Sequence, residues 1–136
     1  MLKRRQKTLP SKINQYPVGT FLRTENGVFF VLSDTKRVPF ITERTLDSWA
    51  PLVVVTASEK DLAVKRLRVS TGKMKFRNGS LLFSQSTGRM YLVSEGRLRH
   101  ITNPDVLAAL GFTRSDAVWV SKSEINLHEM GEELSG

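Results

Sequence analysis

A chain of 136 residues and 15.4 kDa holds one ordinary domain or two very small ones, and roughly two-thirds of its extended surface is hidden on folding at this size. There is no cysteine, and His100 and His128 are the only imidazoles, which excludes a disulfide scaffold, a thiolate nucleophile, an iron–sulfur cluster and the common structural zinc sites. Apolar residues at 40% and charged residues at 25% describe a globular chain, and 21 Lys+Arg against 13 Asp+Glu, a net +8, point toward a polyanionic partner.

The chain opens on a basic arm, residues 1–16, in which Lys3, Arg4, Arg5, Lys7 and Lys12 meet no acid. Its start resembles the basic end of a signal peptide, but Pro10, Lys12 and Pro17 stand where an apolar stretch belongs, so a chain without its own export signal is expected. The longest uncharged apolar-rich run, Ser48 to Ser58, falls short of the ~18 residues a spanning helix needs.

After the arm, residues 17–74 form a first unit. Gly19-Thr20-Phe21-Leu22 leads into two β-rich runs that flank the turn Glu25-Asn26-Gly27, where glycine supplies positive φ. A second turn at Asp34-Thr35-Lys36 precedes a strand around Val38–Ile41. A short helix is expected from Thr42, closed by Pro51, followed by the strand Leu52-Val53-Val54-Val55. Thr56-x-x-Glu59 has the spacing of a capping box, in which hydroxyl and carboxylate each satisfy an orphan main-chain N–H at a helix start. Residues 60–77 then carry a second basic cluster, with Lys60, Lys65, Arg66, Arg68, Lys73, Lys75 and Arg77 against Asp61 alone.

Residues 75–136 repeat this order. Gly19, Leu22, Ser33, Ile41, Thr42, Val53, Val55, Ser58, Glu59 and Leu62 return as Gly79, Leu82, Ser94, Ile101, Thr102, Val118, Val120, Ser123, Glu124 and Leu127. In an ungapped match, Phe29 to Asp34 return as Met90 to Glu95. The hairpin turn is Ser86-Thr87-Gly88, the next turn Glu95-Gly96-Arg97, and the next strand Leu98–Ile101. The helix starts at Asn103-Pro104-Asp105 and closes at Gly111, and the box is Ser121-x-x-Glu124. Glu124, Glu129, Glu132 and Glu133 give residues 123–136 an acidic character. The expected fold is mainly β with short helices, a small α+β chain of two tandem units of antiparallel strands packed together. Val53, Val55, Val118 and Val120 alternate along equivalent strands and are expected to share one buried face.

Catalytic inventory is thin. No GxSxG, HExxH, P-loop or GxGxxG occurs; His128-Glu129 begins a zincin-like motif that no second histidine completes, and Asp34 and Glu95 sit at equivalent turns as turn-formers. No catalytic residue, metal, cofactor or small-molecule substrate is expected. The arm and the 60–77 cluster could track phosphates, but the arm's only aromatic is Tyr16.

The order Gly-Thr/Ser-Phe/Leu-Leu, then Phe-Phe-Val-Leu or Met-Tyr-Leu-Val, then Arg-x-x-x-Ile-Thr, and the continuation Asn103 to Phe112, Val118-Trp119-Val120-Ser121, Leu127 and Gly131 resemble a repeat of bacterial surface proteins and bacteriophage virion proteins. The resemblance spans residues 17–136 and is closer in the second copy; in the first, Trp49-Ala50-Pro51 replaces the Leu-Gly-Phe turn. It implies an interaction module without catalytic residues. The expectation is a non-enzymatic assembly protein of a phage particle (tail, baseplate, head–tail or capsid-decorating), made in the host cytoplasm and binding protein neighbours, self-copies among them. Two alternatives stand beside it: a nucleic-acid-binding accessory protein using the arm and residues 60–77, and a cell-wall or glycan-binding module.

Overall fold

The computed structural model describes residues 13–135 and, for Arg5–Thr8, the course of the main chain. Two compact units divide the chain, one through Met74 and one from Lys75. The first holds β1 (Arg5–Thr8), β2 (Phe21–Thr24), β3 (Gly27–Ser33), β4 (Lys36–Pro39), α1 (Glu43–Asp47), β5 (Val53–Thr56), α2 (Leu62–Lys65) and β6 (Arg68–Val69). The second holds β7 (Leu81–Ser84), β8 (Met90–Ser94), β9 (Arg97–Ile101), α3 (Pro104–Ala109), a 3-10 turn at Arg114–Asp116, β10 (Val118–Val120), α4 (Lys122–Ile125) and β11 (Glu129–Met130). The chain is mainly β, a small α+β protein of two similar sheet units.

The sheets share one strand order. It is β5-β2-β3-β4-β6 in the first unit, with β1 added outside β5, and β10-β7-β8-β9-β11 in the second. The central hairpins are antiparallel, as the turn signals require. The outer strands differ from the all-antiparallel expectation: β5 on β2, β10 on β7, β6 on β4 and β11 on β9 are parallel. Each reaches its place through a crossover containing a helix, which returns the chain in the direction it left.

Entry into each unit repeats down to single hydrogen bonds. The Gly19 N–H donates to the Val31 carbonyl at 2.8 Å and the Gly79 N–H to the Val93 carbonyl at 2.7 Å; Thr20 and Ser80 hydroxyls donate back to Pro17 and Arg77 carbonyls at 2.7 and 2.6 Å. Gly19 and Gly79 sit at φ 94° and 90°, a region closed to most side chains. These bonds match Val31 to Val93, one residue off the ungapped sequence match. The difference is a bulge between Val31 and Ser33, which throws Leu32 out to 50% exposure. From the bulge on, Arg37 lies opposite Val31 as Leu98 lies opposite Val93.

Because alternate strand residues point to opposite faces, each sheet buries two clusters. In the first unit Leu22 and Val31 pack with Tyr16, Ala63, Val64 and Leu67, while Val28 and Val54 pack with Leu46 of α1 on the other side. In the second, Leu82, Tyr91, Val93, Leu98 and Val120 pack with Phe76 and Ile125, and Leu81 and Ile101 pack with Leu107 of α3. The four valines expected on one buried face separate: Val120 is fully buried and Val55 half-buried on the Leu82 and Leu22 faces, Val118 is 38% exposed, and the fully buried residue of β5 is Val54. Register explains this, since Val55 lies opposite Leu22 whereas Leu82 meets Val118, two residues earlier than the sequence match places it.

Helix starts follow the capping signals in three of four places. Thr42 caps α1, Asn103 caps α3 with Pro104 in the first turn, and Ser121 with Glu124 forms the box at α4. The fourth fails. Thr56-x-x-Glu59 opens no helix; α2 begins after Asp61, and the Glu59 carboxylate is drawn away to Arg37 and Thr24.

Candidate functional site

Two kinds of place could meet a partner: the sheet edges and the basic surfaces. Of the arm cations, Arg5 and Lys7 lie on β1, while Lys3, Arg4 and Lys12 fall outside the described residues. β1 runs parallel to β5 in the register Arg5–Val53, Gln6–Val54, Lys7–Val55 and Thr8–Thr56. The arm thus holds to its unit by main-chain strand pairing, a mode that places few demands on side chains.

The second basic cluster is shared between the units. Lys65 ends α2, Arg66 caps it and donates to the Asn14 carbonyl at 3.1 Å, Arg68 lies on β6 and Lys73 follows in a loop; Lys75 and Arg77 belong to the second unit. All six are exposed. On the β4–β6 ladder Lys36 faces Arg68, cation against cation. At the matching position of the second unit Arg97 faces Glu129, with the charges 3.7 Å apart. Like charges on opposed strand positions repel, so the first unit's edge favours an anionic neighbour where the second neutralises itself.

Beneath that edge lies a charged group in the core. Arg37, 5% exposed, occupies the ladder place of Leu98. Its two terminal nitrogens donate to both Glu59 oxygens at 2.5 and 2.6 Å, its Nε donates to the Leu67 carbonyl at 3.1 Å, and its guanidinium stacks 4.5 Å over the Phe29 ring. Thr24 donates to the same carboxylate at 2.5 Å. The Arg37 bonds hold the Glu59 carboxyl below its ordinary range against the opposing effect of burial. Glu25 accepts from the Glu59 N–H at 3.1 Å, and main-chain donors, its own first, lower its carboxyl too. The network ties the β2–β3 turn, β4 and the loop before α2 together. Every polar atom named in it is occupied, so it reads as a clamp.

His128 is likewise occupied. It is 7% exposed, with Nδ1 2.7 Å from the Gly96 carbonyl and Nε2 accepting from the Phe76 N–H at 3.1 Å. Burial pushes its pKa down, which keeps the ring neutral and able both to donate and to accept. His100 is half-buried against Tyr91, its Nδ1 3.8 Å from Glu133. Among the described residues no group of three or more His, Asp and Glu is placed to hold a metal ion, and no helix is long and apolar enough to cross a membrane.

Of the turn residues named from sequence, Asn26 makes the first hairpin turn with Glu25, Gly27 opens β3 at φ 129°, and Gly88 and Gly111 sit at φ 73° and 83°. A cleft of about 270 Å³ lies between the second sheet and α3, lined by Phe83, Arg89, Met90, His100, Leu107 and Arg114 among others. The first unit has a smaller counterpart of about 210 Å³, across which Arg23 and Glu43 pair at 3.0 Å. Sequence reading missed the Arg37–Glu59 clamp because the Thr56-x-x-Glu59 spacing assigned the carboxylate to a helix start and Arg37 lies 22 positions away. The sequence match also hid it: with Ile41 and Thr42 set on Ile101 and Thr102, Arg37 falls on Arg97, and only the strand register puts it in the place of Leu98.

Comparison with protein-family models, with curated proteins and with solved structures returns no match.

Proposed function

We propose that this chain is a non-enzymatic assembly protein, a component of a bacteriophage particle that joins protein neighbours through its basic arm and its β units. The observation that carries the reading is strand addition: the arm segment Arg5–Thr8 extends the first sheet by pairing with β5. A charged segment that binds by main-chain pairing suits attachment to sheet edges more than it suits chemistry. The tandem units, each presenting edge strands, and the resemblance of residues 17–136 to virion and surface-protein repeats support the same reading. The cation-on-cation ladder at Lys36 and Arg68 favours an acidic neighbour over a neutral one.

The test is deletion of residues 1–12. The shortened protein is expected to keep its fold and lose its incorporation into particles, read by mass spectrometry of purified particles. A nucleic-acid role predicts instead duplex binding with a log–log salt slope of roughly −4 to −5 for about five neutralised phosphates. Submicromolar DNA binding that vanishes with the arm, while incorporation persists, would overturn the assembly reading.

A further inference from the structure

The two sheets match strand for strand except at one edge. In the first unit β5 is covered by β1; in the second, among the described residues, no strand pairs with the outer side of β10. The Val120 carbonyl is taken by the Gln85 N–H at 3.1 Å on the β7 side. Because successive residues of a parallel strand direct their N–H and C=O to alternate sides, Trp119 turns its main-chain donor and acceptor outward. The side chains there are apolar and solvated, Trp119 at 61% and Val118 at 38% exposure, with the indole resting 5.0 Å from Phe83. An open apolar edge is a template for a further strand, and soluble proteins ordinarily charge it, cover it or bulge it away.

We propose that the outer edge of β10 receives the Arg5–Thr8 segment of a second copy, running parallel to β10, so that copies join head to tail. This segment already takes the counterpart edge in its own chain, in the parallel sense that β10 requires. Matching Val118, opposite Leu82, to Val55, opposite Leu22, sets Lys7 of the incoming strand beside Val118 and Thr8 beside Trp119. Charge favours the exchange. Through Met74 the chain has 14 basic and 6 acidic residues, five of the cations in the arm; from Lys75 onward it has 7 of each. The arm therefore leaves a positively charged unit for a neutral one with an acidic tail. Main-chain pairing is conserved in the swap, and the gain lies in covering Trp119 and Val118. Reciprocal exchange closes a pair of copies, and one-way exchange builds rings or filaments.

The proposal rests on the assembly reading and names its partner. The chain's lack of cysteine makes the test clean. Full-length Lys7→Cys and Val118→Cys proteins are mixed under mild oxidation, beside a control mixture of Lys7→Cys with Leu52→Cys, whose target is 75% exposed. Heterodimer is expected at least tenfold faster in the first mixture. The double variant Lys7→Cys/Val55→Cys, which locks the arm at home, is expected to sediment as a monomer at concentrations where the unsubstituted protein self-associates, and a reducing agent restores association. Trp119→Pro, which removes the outward donor from an edge strand, is expected to abolish association while the far-ultraviolet circular dichroism is kept. Equal cross-linking rates, or association unchanged in the locked protein, would overturn the proposal. That result would leave the assembly reading standing if the arm deletion still prevents incorporation; a chain absent from particles would sink the assembly reading while leaving the cross-link intact.

Discussion

The two units solve one structural problem in two ways. At the ladder place opposite Val31 and Val93, the second unit sets Leu98 into an apolar cluster, whereas the first sets Arg37 and recruits Glu59, Thr24 and Phe29 to hold it. The apolar solution needs no partner. The charged one commits a loop: the four residues between β5 and the cap of α2 that carry Glu59 have no counterpart before α4, where Ser121 caps the helix directly after β10. Replacing an apolar residue by a buried ion pair brings little net stability, because the desolvation of both ions offsets their attraction. What the pair does bring is a fixed geometry linking the β2–β3 turn to the loop that follows β5, the strand on which the arm is laid.

The comparison can be broken most severely at β10. Val120 is fully buried and Val118 is solvated, two residues apart on one strand. Val120→Asp is expected to unfold the second unit, a loss on the order of 5 kcal/mol from an unpaired buried carboxylate, while Val118→Asp changes its stability by less than about 1 kcal/mol. Each unit has its own tryptophan, Trp49 and Trp119, so urea titrations followed by fluorescence, with the other tryptophan replaced by Phe, report on each separately. Equal losses at the two positions would refute the register.

A smaller break is expected at the clamp. Glu59→Ala leaves Arg37 buried without its carboxylate and should cost the first unit about 3 kcal/mol. The double variant Arg37→Leu/Glu59→Ala copies the apolar solution and should recover most of that loss, read from the Trp49 transition. No recovery would mean that the pair stabilises the unit beyond what burial of a leucine can replace.

Acidity should separate the units further. Burial holds His128 neutral in the fold, so below its ordinary value of 6.5 the unfolded chain binds the extra proton, and the second unit loses stability as pH falls through that value. His128→Leu, which copies Leu67 of the first unit, should flatten this dependence. Glu59 has a lowered carboxyl, so its contribution to the first unit is complete above 4.5 and is lost only as pH falls below that value. Melting temperatures measured between pH 7 and 5 should therefore drop for the second unit first.

The smallest effect concerns the turn after each first helix. Gly111 and Ala50 occupy the same place, both with positive φ, 83° and 46°. Alanine is strained there. Ala50→Gly is expected to stabilise the first unit by up to about 1 kcal/mol, and Gly111→Ala to destabilise the second by about as much. Denaturation midpoints moving the other way would show that neighbouring contacts, not the backbone region, decide the turn.

Much of the fold was legible in the residues. The hairpins announced themselves through Asn26-Gly27 and Gly88, and α1, α3 and α4 through Thr42, Asn103 and Ser121, because these signals act within four residues of themselves. The arm was legible as a basic stretch, and its strand was not. A segment such as Arg-Gln-Lys-Thr has no pattern of its own and becomes a strand only against β5. The open edge of β10 was invisible for the same reason, since an edge is defined by the neighbour it lacks.

By itself, then, the sequence determined what local chemistry determines: two copies of one order of turns, strands and caps, a net charge of +8 concentrated at the front, and no thiol or paired imidazole. Tertiary structure decided what depends on register. It set the bulge at Leu32 and the offset of β10 by two residues, brought Glu59 to Arg37 instead of to a helix start, and covered one edge while leaving its counterpart open. The physical reason is range: a cap or turn is satisfied by atoms a few bonds away, whereas a ladder register, a buried charge and a free edge are settled by residues tens of positions distant, whose approach only the folded chain supplies.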